Sequence, residues 1–210
     1  MGNDEERMLE MKIWKQTMWL IGLAALAMPM LFIWWQARDI EWKWEEETLL
    51  ESGEKIRIQR KEIRKIVGGG ELFQTMRGIK EGSIKFIDKT SGKKVYWSST
   101  LVPIILERGK GKIQWSVIAS NVWCEDFSKY GSPKPPYVQF DLVDEGWIYH
   151  VVDNGWHDKM ANLLISEKEI KKNIGKFLTS SEIKDINEAN GFAHRRYTII
   201  DVNEISNCEK

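Results

Sequence analysis

The longest unbroken apolar run of the chain, MWLIGLAALAMPMLFIWW at residues 18–35, contains no charge and is apolar all the way round a helix. At 1.5 Å per residue it covers about 27 Å, close to the hydrocarbon thickness of a bilayer, and predicts a transmembrane helix. Trp14 and Trp19 at one end of it, and Trp34 and Trp35 at the other, stand where indole rings favour the membrane interface, and Trp42 and Trp44 extend the far edge. Pro29 removes a backbone donor and predicts a mild kink. An uncleaved signal anchor accounts for the run better than a cleaved leader, because a cut after Ala25 or Ala27 strands the apolar residues 30–35 on the mature end. Gly22 is followed four positions later by Leu26, so the small-residue spacing of close helix dimers is missing.

Beyond the run the pattern changes to short alternating stretches divided by turn residues, which predicts antiparallel strands. Residues 44–50 and 55–63 read as a hairpin around Glu51-Ser52-Gly53-Glu54. With Leu50 opposite Lys55, Glu45 meets Arg60, and the acidic first strand neutralises the basic second one. A loop is expected from Gly68-Gly69-Gly70 through Lys80; it is not a phosphate cradle, because no Gly-Lys-Ser/Thr follows. Residues 83–87 and 94–98 form a second hairpin around Thr90-Ser91-Gly92, and Pro103 marks 102–106 as an edge strand. Ile113, Trp115, Val117 and Ala119 alternate with polar neighbours as a half-buried strand, extended by 122–127. Val138, Phe140 and Leu142 pair with 147–152 across Asp144-Glu145-Gly146. Ser166 with Glu169 caps a short helix ending near Gly175, and Thr179 or Ser180 with Glu182 opens another through Ala189. Residues 197–202 form a last strand.

The fold class is therefore an N-terminal transmembrane helix plus a mostly-β (α+β) soluble domain, with antiparallel sheets in a sandwich-like arrangement and one or two short C-terminal helices. Its parts are a cytoplasmic tail (1–17), the anchor (18–35), a juxtamembrane linker (36–43) and an extracytoplasmic domain (44–210). Arg7, Lys12 and Lys15 precede the span and only Arg38 and Lys43 closely follow it, which sets the amino terminus inside. Lys plus Arg and Asp plus Glu both total 31, so no net field draws the chain to nucleic acid. Mean hydropathy of -0.41 leaves the remainder water-soluble. Cys124 and Cys208 can pair in an oxidising compartment or stay as two thiols; both readings are open.

Candidate chemistry is sparse. His150, Asp153, His157 and Asp158 are metal-capable, but a strand end and a turn do not make them converge, so neither a metal nor a cofactor is expected. A serine hydrolase built on Ser98 or Ser99 with His194 lacks the Gly-x-Ser-x-Gly elbow. Cys124 precedes Glu125 and Asp126, whose charges work against a reactive thiolate. Tyr130, Pro135, Pro136 and Tyr137 bracket a stiff loop that offers a partner contact or an ordinary strand connection.

Trp44-Glu45-Glu46-Glu47, Leu50, Gly53, Ile56 and Arg60, then Gly68-Gly69-Gly70-Glu71, Ile84-Lys85-Phe86, Trp97 and 118–130, resemble a family of small uncharacterised bacterial envelope proteins. The resemblance implies a bacterial source and a β-rich fold, with no assigned activity and no catalytic residues. The expectation is a single-pass inner-membrane protein whose external domain binds an envelope protein or glycan without catalysis. An accessory or immunity subunit of a membrane complex is the alternative, and a metal-dependent or serine envelope hydrolase a remoter one.

Overall fold

In strand β1 (Ile40–Leu49) the even positions from Trp42 to Thr48 are buried, and in β2 (Lys55–Ile66) Ile56, Ile58, Arg60, Glu62 and Arg64 are buried beside them. The structure is a computed structural model that describes Trp14, Met18, 39–66, 77–120, Cys124, 128–190, 199–204 and Cys208. The other strands are β3 (Arg77–Ile87), β4 (Lys94–Ser99), β5 (Val102–Arg108), β6 (Ile113–Ser120), β7 (Tyr137–Val143), β8 (Gly146–Val151) and β9 (Phe177–Leu178). Helices α1 (Glu167–Asn173) and α2 (Ser180–Asn190) complete the described elements, with a 3-10 turn at Asn154–Trp156.

Two sheets result, a five-stranded one in the order β4-β3-β2-β1-β9 and a four-stranded one in the order β5-β6-β7-β8. Every pairing is antiparallel except β9 on β1. Ile58, Phe86 and Trp97 from the first sheet share one buried cluster with Trp115, Val117 and Phe140 from the second, which makes the sandwich. Edge-to-face rings tie the layers, Phe86 on Trp115 at 4.6 Å and Trp97 on Phe140 at 5.3 Å. A second cluster, with Trp156 and Ile200, covers the far face of the second sheet around Ile118 and Tyr137. A third gathers Trp42 and Trp44 with Leu164, Ile170, Leu178 and Ile183 where α1 and α2 pack on β1.

The predicted hairpins and the Pro103 edge strand are present, the Thr179–Glu182 capping box is complete, and Ser166 caps α1 by accepting the Glu169 N–H while the Glu169 carboxylate takes Lys172 instead. Several expectations are corrected. Strand β1 begins at Ile40, within the predicted linker, because Trp42 and Trp44 are packed core residues rather than interfacial ones. The β1–β2 register places Leu49, not Leu50, opposite Lys55 and Trp44, not Glu45, opposite Arg60. A one-residue slip exchanges the faces of a strand, and the observed register sets buried even positions opposite buried even positions. Strand β3 starts at Arg77, inside the predicted loop. Strand β6 is buried on both faces from Trp115 onward, its hydroxyls paid for by Ser116 donating to Asp141 at 2.6 Å and Ser120 to the Pro136 carbonyl at 2.8 Å.

Cys124 is helical, not part of a strand continuing β6, and the last predicted strand is a single bridge, Ile199 to Met160, among the described residues. By contacts the chain divides into Met1–Asp39 and Ile40–Lys210. In the first unit Trp14 and Met18 are helical and exposed. Among the described residues no helix is long and apolar enough to cross a membrane; apart from Met18, the 18–35 run lies outside them, as do Trp19, Trp34 and Trp35.

Candidate functional site

The odd positions of β1 and β2 face away from the sandwich, so their polar side chains form the outer surface of the five-stranded sheet. This surface carries an open concavity of about 610 Å³. Lys43, Arg57, Lys61, Lys85 and Lys176 line it together with Glu45, Gln59, Ser83, Tyr96 and Phe177. Register explains the grouping: Phe177, Glu45, Gln59, Lys85 and Tyr96 are successive cross-strand partners, a single row across all the strands of the sheet. Lys43 and Lys61 are partners in the adjacent row and share Glu41, whose carboxyl they hold below its ordinary pKa through hydrogen bonds. Arg57 donates from Nε to Glu45 at 2.8 Å and lies 4.8 Å over the Phe177 ring. Lys85 and Lys176 have no carboxylate partner among the described residues. The concavity therefore holds an excess of positive charge although the chain as a whole is neutral.

The far face of the second sheet carries a polar cluster centred on buried Asp141. It accepts from Ser116 at 2.6 Å and from Gln139 at 3.0 Å, and His150 Nε2 lies 2.8 Å from its Oδ2. His150 Nδ1 lies 2.9 Å from the Val151 carbonyl, so both ring nitrogens face acceptors and only the imidazolium donates to both. Burial pushes this imidazole down, but the bonds to Asp141 and Val151 and the charges of Asp141 and Asp153 outweigh it, and the pKa is raised. A raised folded value means that His150 contributes its full stability below the unfolded value of about 6.5 and loses it as pH rises through the folded one. Melting temperatures measured from about pH 5.5 to 8.5 are expected to fall more for the wild type than for His150→Gln; parallel curves would refute this.

Glu107 is pushed up to about 6 by burial and accepts the Glu51 N–H at 2.9 Å. A carboxyl so perturbed is a candidate general acid, but its other hydrogen-bond neighbours are the Arg108 N–H and the Asn162 amide, which itself bonds the Leu106 carbonyl, and the charged groups near it, Lys159 and Glu51, are paired with each other at 2.5 Å. His150 and His157 are separately engaged, His157 with the Val202 N–H through Nδ1, and no group of three His, Cys, Asp or Glu among the described residues is arranged to hold a metal. Ser99 bonds Tyr130 and the Leu101 N–H, and His194 lies outside the described residues.

The residues of the stiff loop are packed to different degrees, with Tyr130 and Pro135 half-buried. Tyr137 is fully buried and donates to Glu204 at 2.7 Å, Pro136 is buried and Pro135 half-buried. Tyr130 packs edge-on to Phe140 and Tyr149 and bonds Ser99, so its ring is already engaged. Cys124 and Cys208 are joined by a disulfide with Cα atoms 5.1 Å apart. The row on the outer sheet face escapes a reading of the sequence because β9 is only Phe177–Leu178 long and pairs with a strand more than a hundred positions earlier. The signal for its other members was available, since Trp42, Trp44, Ile56 and Ile58 all fall on even positions and demand the even-to-even register. Compared with protein-family models, curated proteins and solved structures, the chain matches none.

Proposed function

We propose that this chain is a membrane-tethered binding module: residues 18–35 anchor it as a single span, and the domain from Ile40 onward holds an envelope protein or glycan outside the cytoplasm without catalysing a reaction. The observation that carries the proposal is the open, cation-lined outer face of the five-stranded sheet, which presents charge and aromatic side chains to solvent. A disulfide between Cys124 and Cys208 is in keeping with an oxidising compartment. Tethering gives such a module a high effective concentration near its target, so modest affinity suffices. The resemblance to bacterial envelope proteins belongs to the same reading.

A reporter active only outside the cytoplasm, fused after Lys210, is expected to be active, and the full chain is expected to float with membranes after a carbonate wash. Full-length protein that stays monodisperse in plain buffer and ignores added liposomes, or a silent reporter, would overturn the proposal.

A further inference from the structure

Resting on that reading, we infer that the ligand of the outer sheet face is an acidic oligosaccharide. The row of cross-strand partners begins at Phe177 on one edge strand and ends at Tyr96 on the other. The two residues are 43% and 49% exposed, far more than residues packed in the core. Four interstrand spacings of about 4.8 Å separate them, roughly 19 Å, the length of about four linked pyranose rings. Lys85 is the direct partner of Tyr96, and Lys176 lines the concavity together with Phe177. These are the two cations of the concavity without a carboxylate partner among the described residues, whereas Arg57 is held by Glu45 and Lys43 and Lys61 share Glu41. An exposed aromatic residue and a cation without a carboxylate partner among the described residues therefore stand near both ends of the row, and at the Phe177 end the Arg57 guanidinium also lies 4.8 Å over the ring.

A sugar ring offers an apolar C–H face to stack on an aromatic, hydroxyls for polar side chains, and, when it is a uronic acid, a carboxylate for an ammonium. Between the two ends lie Glu45, whose carboxylate is paired with Arg57, and Gln59, whose amide donates to Glu45 at 3.2 Å and leaves its oxygen to accept from a ligand hydroxyl. A peptide is the poorer match. Peptides bind sheets chiefly by adding a strand to a free edge, whereas this row runs across the face of the sheet, where side chains rather than backbone groups make contact. A bilayer surface is poorer still, because the charges line a concavity rather than a flat face.

The test uses the full chain in detergent micelles, titrated calorimetrically with tetragalacturonate, maltotetraose, a glutamate tetrapeptide and phosphatidylglycerol vesicles. Tetragalacturonate is expected to bind saturably, far more tightly than maltotetraose, and more weakly as salt is raised. Tyr96→Ala and Phe177→Ala are each expected to weaken it by about tenfold. Lys85→Gln with Lys176→Gln is expected to abolish the preference over maltotetraose. Unchanged melting temperatures show that these exposed substitutions leave the fold intact. No saturable tetragalacturonate binding at millimolar concentration overturns the inference. So does equal or tighter binding of the tetrapeptide or vesicles that is insensitive to Tyr96→Ala and Phe177→Ala, an outcome that leaves the binding-module reading standing. Failure of that reading is recognised separately, by a silent reporter or by a chain that does not partition into membranes.

Discussion

Replacing Glu46 by leucine is expected to cost about 3–5 kcal/mol of stability, because it strands a guanidinium in the interior. The Glu46 and Arg60 side chains are 0% and 1% exposed and pair at 2.8 Å. Glu46 also accepts the indole N–H of Trp44 at 2.8 Å and a backbone hydrogen bond from Leu164. Arg60 depends on this one carboxylate: its Nε and Nη2 are buried with no hydrogen-bond partner, and its remaining support is the Trp44 ring 5.0 Å away. An arginine cannot escape by losing its proton, so the charge stays buried when its partner is removed. The double variant Glu46→Leu with Arg60→Met removes both charges and is expected to recover most of the loss, since a well-packed apolar pair commonly matches a buried ion pair. Urea denaturation of the detergent-solubilised chain measures both. A single variant that loses under about 1 kcal/mol would show that the pair is hydrated in solution.

Removing the Cys124–Cys208 disulfide is the second large effect. The bond closes a loop over a sequence separation of 84, and in the chain-entropy account a loop of that size stabilises by about 4.5 kcal/mol. The double variant Cys124→Ser with Cys208→Ser is expected to lose about that much in urea, and dithiothreitol to do the same to the wild type. On a non-reducing gel the wild type should run faster than its reduced form without a dimer band. Two thiols titrated in the oxidised, unfolded chain would refute the bond. The consequence reaches function, because a domain that loses this much stability when reduced is suited to a compartment where the bond persists.

The charges of the first hairpin illustrate how far local reading carries. That acidic β1 neutralises basic β2 is legible, since a turn at Ser52-Gly53 forces the two strands together. The partners differ from those read off a one-residue slip. Arg57 takes Glu45 and Lys55 takes Glu47 on the solvent face, while Arg60 takes Glu46 in the interior. Burial of charge on the inner face is not legible locally, because Glu46 and Arg60 look like any other strand-borne ion pair until α1, α2 and the Trp44 ring close over them.

The turns, the helix caps, the edge proline and most strand positions follow from the sequence by itself, because each is settled by residues within a few positions of one another: a glycine that tolerates the left-handed backbone at Gly53, a hydroxyl three residues before a glutamate, an alternation of two. The tertiary structure alone decided how completely Glu46 and Arg60 are buried, that Cys124 reaches Cys208, and that Phe177 completes a row with Glu45, Gln59, Lys85 and Tyr96. These depend on register and on contacts between distant segments, whose energy comes from burying Trp42, Trp44 and Leu178 together, and no window of neighbouring residues contains that sum.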